Sequence, residues 1–160
     1  MIHIRKNGNV KRWHTVHTLR QQTVAEHSWG VAMICRKLWP QDSILMEAAL
    51  CHDLGEGYTG DIPWPAKAAN YNLNDIAGDM EIVELRRLGA LVDLEPLQYK
   101  SLKIADMLEL LYFVVEEMEL GNRTLDNVFN LALRHLELLD KDNEAFDLIK
   151  PLVERVGAIN

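Results

Sequence analysis

The feature that most constrains this chain is the rhythm of its apolar residues, which recur at helical spacing between recognisable start and stop signals and almost never alternate as a strand would require. Thr23 has Glu26 three residues later, a capping box in which hydroxyl and carboxylate each satisfy an orphan amide. Behind it Val24, His27, Val31, Ile34 and Leu38 return every three or four residues, and Pro40 lies just past the end. A second helix is expected over residues 42–54, with Leu45, Ala49 and His52 on one face and Gly55 and Gly57 as its stop. Two prolines and a glycine in residues 58–65 predict an ordered loop. A third helix is expected over 75–88, carrying Ile76, Met80, Val83 and Leu88 and closing at Gly89. A fourth opens at Glu95-Pro96 and runs to Leu120, with Gly121 after it. Residues 124–139 and 143–156 read as two more amphipathic helices. Residues 1–22 are a lead-in with a short extended piece at the first five. The expectation is an all-α, bundle-like single domain over 1–160.

A chain of 160 residues can bury a core without disulfides. Cys35 and Cys51 lack metal or redox spacing and read as small buried hydrophobes. A formal charge of −7 argues against nucleic-acid polymers and anionic membranes as partners, though a local basic pocket can still hold a small phosphorylated ligand. No stretch approaches a membrane span and no leader-like apolar run precedes Lys11-Arg12, so the expected location is the cytoplasm. Leucine-rich faces on the last two helices exceed what one seam needs, which points to a homo-oligomer.

Several polar residues fall on apolar faces: His27, His52 beside Asp53, and Asp106, which shares a face with Leu102, Leu110 and Phe113 on the fourth helix. Taken singly, each has an ordinary explanation as a hydrogen-bonded core histidine or a paired carboxylate. An unpaired buried carboxylate would be costly. Together, two imidazoles and two carboxylates from three helices match the nitrogen and oxygen donors of a divalent ion such as Zn, Co, Mn or Fe. Such an ion would also neutralise the carboxylates.

The order of these residues resembles the signature of the HD-domain metal-dependent phosphohydrolases. Arg12-Trp13, Arg20, Val24-Ala25-Glu26-His27-Ser28, His52-Asp53-Leu54-Gly55-Glu56 and the run from Thr59 through Gly60, Asp61, Pro63 and Pro65 to Lys67 resemble its 5'-deoxynucleotidase branch in particular. The resemblance is dense over residues 12–67, resumes at Asp106, and beyond about Leu120 rests only on helical character. It implies a helical bundle of the HD type and a metal (Zn, Co or Mn) held by His27, His52, Asp53 and Asp106, which orients water and polarises the scissile phosphate. It implies Glu56 as the catalytic acid/base and Asp61 as a carboxylate near the metal-bound water. For the substrate it implies Arg20 and Lys67 as phosphate contacts and Trp13 against the sugar, where it disfavours a 2'-hydroxyl. Arg12 would position that segment, and Trp64 with Pro65 would wall the base. Standing alone, Lys67 reads as a surface lysine, Asp61 as a turn residue and Trp64 as core.

Within this branch one pattern removes phosphate from deoxynucleoside monophosphates, and the other, in compact phage-encoded members, converts dATP to deoxyadenosine and triphosphate. Roughly fifty residues separate Asp53 from Asp106, leaving little room for inserted helices, which favours dATP triphosphohydrolase activity. 5'-Deoxynucleotidase activity is the alternative. A rival of another class, a non-catalytic deoxynucleotide-sensing domain, has no use for a proton-transfer group such as Glu56. A purely structural metal site would more often use sulfur.

Overall fold

The computed structural model describes residues 2–139 and 145–159. Among them are nine α-helices: α1 (Ile2–Asn7), α2 (Val24–Leu38), α3 (Ser43–Cys51), α4 (Glu56–Thr59), α5 (Trp64–Ala69), α6 (Tyr71–Leu88), α7 (Pro96–Glu119), α8 (Asp126–Leu139) and α9 (Phe146–Ile159), with a 3₁₀ turn at Arg123–Leu125. No strand occurs among the described residues, only an isolated antiparallel bridge between Lys11 and Thr23. The fold is all-α, as the apolar rhythm predicts.

The centre of the molecule is α7. Its Ile104, Leu108, Leu111, Val115 and Met118 pack against Leu125, Phe129 and Leu136 on the α8 side and Ile149, Leu152 and Val156 of α9. On its other side Leu102 and Ala105 meet Val31 and Cys35 of α2 and Leu45, Ala48 and Ala49 of α3. A third, smaller cluster joins Leu54 to Leu85 and Ala90, with Ile4 and Leu88 at its edge. The metal-type residues lie on the elements that these clusters bring together.

Local chemistry sets the ends. Thr23 and Glu26 form the reciprocal capping box. The amides of Val24 and Ala25 donate to Val10 and Gly8, so the lead-in segment satisfies the first turn of α2. Glu95 and Gln98 cap α7 in the same reciprocal way, with Pro96 in its first turn. Gly89 ends α6 in the left-handed region and Gly121 follows α7 with φ 99°.

Five expectations need correction. Residues 2–7 are helical, not extended, because Ile4 can then join the Leu54 cluster; Met1 lies outside the described residues. The second helix ends at Cys51, and residues 52–55 form turns leading into α4. Gly55 does not stop a helix, since its φ is −59° and ψ −30°. A Cβ there would meet the Glu81 backbone at 2.7 Å, and one on Gly57 would fall within the Asn7 carboxamide. Close approach, rather than termination, is what these two glycines permit. The third correction is in 58–65: only residues 60–63 are non-helical, because Pro65 sits in the first turn of α5, where its missing N–H costs nothing. Gly60, at φ 76° and ψ 162°, makes the turn. Fourth, α6 begins at Tyr71, where Asn70 accepts from the Leu73 amide; it buries Ala77, Glu84 and Leu85 while Ile76 and Val83 stay exposed. Fifth, α8 begins at Asp126 behind the 3₁₀ turn, and the last helix runs over Phe146–Ile159; the expected start at 143 lies outside the described residues.

Candidate metal centre and its surroundings

His27 leaves the first turns of α2 and is fully buried. Its Nδ1 pairs with Oε2 of Glu109 on α7. His52, just past α3, donates Nδ1–H to the carbonyl of Ala49 at 2.8 Å. Each ring therefore has one nitrogen fixed and the other, Nε2, directed inward. Neither Nε2 has a hydrogen-bond partner, although both are buried. Around them stand carboxylates: Asp106 Oδ1 at 3.0 Å and Asp53 Oδ2 at 3.5 Å from His27 Nε2, and Asp53 Oδ1 at 3.3 Å from His52 Nε2. Ligating atoms of His27, His52 and Asp53 all lie within 4.8 Å of one another, and Asp106 reaches the group from α7 through His27.

Two buried ring nitrogens facing carboxylate oxygens form a cation site once His27 gives up its proton, and the donor set suits a borderline divalent ion. The electrostatics agree. Burial and Arg12 oppose a charge on His27, yet Asp106 and Glu109 outweigh them and carry its pKa up to about 9. Burial likewise opposes ionisation of Asp53 and Asp106, but His52, Arg12 and His27 hold Asp53 below its ordinary value, and His27 with Lys103 holds Asp106 well below it. The centre favours positive charge.

Glu56 opens α4, one turn beyond Asp53, and is 5% exposed. Burial, then the charges of Asp53 and Asp61, push its carboxyl up to about 9 against Arg12 and Lys67. Its Oε2 has no partner. In the metal-free fold this buried carboxyl is thus held toward its protonated form beside the metal ligands. Asp61, in the 60–63 turn, faces His14 at 3.8 Å and contributes to the field on Glu56.

The remaining expected residues fall in three places. Arg12 is drawn in by the antiparallel pairing of 8–12 with 22–25 and donates Nη1 to Asp53 Oδ2 at 2.8 Å. Lys67 on α5 reaches Glu81 of α6 at 3.2 Å and lies close enough to influence Glu56. Trp13 has φ 62°, outside the ordinary range for a bulky residue. The indole is held by Nε1–H to Gln22 Oε1 at 2.9 Å and by stacking on Phe113 with ring centroids 5.2 Å apart. Arg20 lies elsewhere: it pairs with Glu116 at 2.7 Å, approaches Glu117 at 3.5 Å and covers the Phe113 ring. Glu116 is ten residues along α7 from Asp106, roughly 15 Å at 1.5 Å per residue. Pro65 and Trp64 are exposed on α5, and the Trp64 ring is tilted 6.1 Å from His135.

Three residues escape the sequence reading. Glu109 is the group that fixes His27, and Gly30 makes room for it, since a Cβ there would lie 2.7 Å from its Cγ. Gln22 donates to Glu109 Oε1 at 2.8 Å while accepting from Trp13, so indole, amide, carboxylate and imidazole form one chain of contacts. Lys103 lies 3.9 Å from Asp106 Oδ2 and over the ring of Tyr99. Both α7 residues sit three positions from Asp106, and that spacing is the signal that could have found them.

Comparison with known proteins follows the same lines. A family model described as 5'-deoxynucleotidase YfbR-like matches residues 1–151. The dATP triphosphohydrolase of Salmonella phage PMBT28 is 35% identical over 127 residues, 67% of this chain and 61% of that protein. The 5'-deoxynucleotidase YfbR of Salmonella arizonae is 27% identical over 167 residues, 98% of this chain and 81% of that one. The chain spans only 61% and 38% of the first two curated relatives it matches, both phage proteins. The solved Cyanophage S-2L HD phosphohydrolase (DatZ), bound to dA and one catalytic Zn2+ ion, superposes with TM-score 0.77 at 25% identity over 96% of both chains. An HD-domain phosphohydrolase from Listeria innocua shares the fold with TM-score 0.74 at 22% identity, over 96% of this chain and 87% of that one.

Proposed function

The chain belongs to the YfbR-like 5'-deoxynucleotidase family, and from that premise we propose that it hydrolyses the sugar-side phosphoester of 2'-deoxynucleotides, with dATP giving deoxyadenosine and triphosphate as the preferred reaction. The observation that carries the reading is the pair of partnerless Nε2 atoms of His27 and His52 converging on Asp53, beside the buried carboxyl of Glu56. Sequence likeness to the phage dATP triphosphohydrolase, and structural likeness to a zinc-bearing relative, favour the triphosphate substrate and Zn2+.

In this reading His27, His52, Asp53 and Asp106 hold the ion. When bound, it supplies Lewis acidity toward the phosphate and a hydroxide-like nucleophile from water. Glu109 and the Ala49 carbonyl hold the two imidazoles in the tautomer that offers Nε2. Glu56 gives its proton to the 5'-oxygen as the ester bond breaks, so that deoxyribose leaves as an alcohol. Asp61 helps keep that proton in place until it is needed. Arg12, Lys67 and Lys103 neutralise the phosphate chain, which must lose repulsion before water can reach phosphorus. Arg20, committed to Glu116 and Glu117, is left to anchor the loop that carries Trp13. The Trp13 indole, fixed on Phe113 and Gln22, is the rigid face for the sugar.

Monophosphatase activity is the second reading, favoured by the family description and by the YfbR relative that aligns with nearly the whole chain. Product analysis separates them. Purified protein with Zn2+, Co2+ or Mn2+ should turn dATP into deoxyadenosine and triphosphate. Orthophosphate from dAMP with dATP untouched would establish the second reading in place of the first.

A further inference from the structure

The turn that carries both Asp53 and Glu56 is gripped from behind by a residue remote in sequence. Asn7, at the end of α1, is 3% exposed. Its Nδ2 donates to the Leu54 carbonyl at 2.9 Å and to Glu84 Oε1 of α6 at 3.0 Å. That carbonyl also accepts from the Gly57 amide at 3.2 Å, so it is the acceptor on which the turn closes. Glu84 is itself held by two bonds from Arg87, at 2.6 and 2.7 Å. Gly57, the residue after Glu56, lies so close to the Asn7 carboxamide that a side chain there would overlap it.

We infer that Asn7 is a positioning residue for the Asp53–Glu56 turn, tying its Leu54 carbonyl to α6 so that the metal-facing carboxylate and the proton donor keep a fixed separation. Three features point to this rather than to simple packing. The carboxamide serves a backbone acceptor between the two functional residues. Both of its acceptors come from elements other than its own. A glycine is placed where any larger residue would exclude it. An open pocket of about 670 Å³ is lined by Asn7 itself together with Lys6, Gly57, Tyr58, Glu84 and Arg87 among others. Water can enter there to solvate the Leu54 carbonyl when the amide is removed, so Asn7→Ala should fold.

The catalytic part of this inference rests on the hydrolase reading above, so the test includes measurements that do not need turnover. In Asn7→Ala, hydrogen exchange of the Glu56 and Gly57 amides should accelerate at least 10-fold while the α7 amides are unchanged. Zn2+ affinity, read by competition with a chromophoric chelator, should weaken several-fold. With dATP, kcat should fall about 10-fold with KM within 2-fold. Asn7→Asp, which keeps the shape and loses the donor, should behave alike. In Asn7→Ala/Gly57→Ala the new methyl enters the space the carboxamide leaves, so the thermal midpoint should return toward wild type while kcat stays low. Recovery of kcat together with the midpoint would reduce Asn7 to packing and overturn the inference, as would unchanged exchange at Glu56 and Gly57. A wild-type protein inert toward every deoxynucleotide would sink the hydrolase reading instead, and the exchange and chelator measurements would still decide the role of Asn7.

Discussion

At the scale of single residues, Glu56 shows function working against stability. Its carboxyl ionises near pH 4.5 in the unfolded chain and near 9 in the fold, so between those values folding must take up a proton. The raised value is a stability contribution fully present below about 4.5 and lost progressively as pH climbs toward 9. Glu56→Gln, which keeps the shape without the titration, should therefore stabilise the metal-free protein at pH 7 by about 3 kcal/mol and leave it unchanged at pH 4. The same variant should lose at least ~10²-fold in hydrolysis. Parallel thermal melts at the two pH values, with a turnover assay at pH 7, check this; equal melting of variant and wild type at pH 7 would mean the carboxyl is not held protonated. Glu109 gives a complementary case. Glu109→Gln should weaken metal binding ~10- to 100-fold, the usual loss for a group that orients a ligating histidine. Chelator competition would show it, and unchanged affinity would mean that the His27–Glu109 contact does not set the imidazole.

At the scale of elements, the three glycines 55, 60 and 78 separate reasons for having no side chain. Gly55→Ala drives a methyl against the Glu81 backbone, which has no flexible end to give way, and should cost about 1–3 kcal/mol. Gly60→Ala meets nothing within 4 Å, yet φ 76° with ψ 162° is a region only glycine occupies easily, so about 1–3 kcal/mol is again expected. Gly78→Ala, in open space within α6, should stabilise by about 0.5–1 kcal/mol. Denaturant midpoints of the three would test the assignment, and a stabilising Gly55→Ala would contradict it. The contrast explains which elements were legible in the sequence. Thr23, Glu26, Gly89 and Gly121 act through neighbours a few residues away, so their spacing alone announced the ends of α2, α6 and α7. Gly55 and Gly57 answer to Glu81 and Asn7, which no local window contains, so their local spacing reads as a helix stop. Likewise His27, His52, Asp53 and Asp106 stood out as polar residues on apolar faces. Glu109 reads as an ordinary charge of a long helix, because its meaning depends on the His27 that α2 brings opposite it, and Lys103 takes its meaning from Asp106, which faces the same histidine.

At the scale of the whole molecule, the candidate centre draws its donors from α2, from the turn after α3 and from α7, which lie up to 79 residues apart, from His27 to Asp106. The unfolded chain offers no such grouping, so an ion bound there stabilises the fold by linkage, about 4 kcal/mol at a thousand times its dissociation constant. For a chain of this size that corresponds to a rise of roughly 10 °C in the unfolding midpoint. The rise should depend on pH in a definite direction. With His27 near 9 in the metal-free fold, binding at pH 7 must release its proton, and apparent affinity should tighten by up to about tenfold per unit as pH rises toward 9. Thermal unfolding in chelator and in buffered Zn2+, repeated at pH 6, 7 and 8, measures both effects. His52→Ala should abolish most of the shift, because it removes one of only two nitrogen donors while leaving the cores around α7 untouched. A midpoint indifferent to zinc at every pH, or a His52→Ala protein that still responds fully, would show that the clustered donors do not act together as one site.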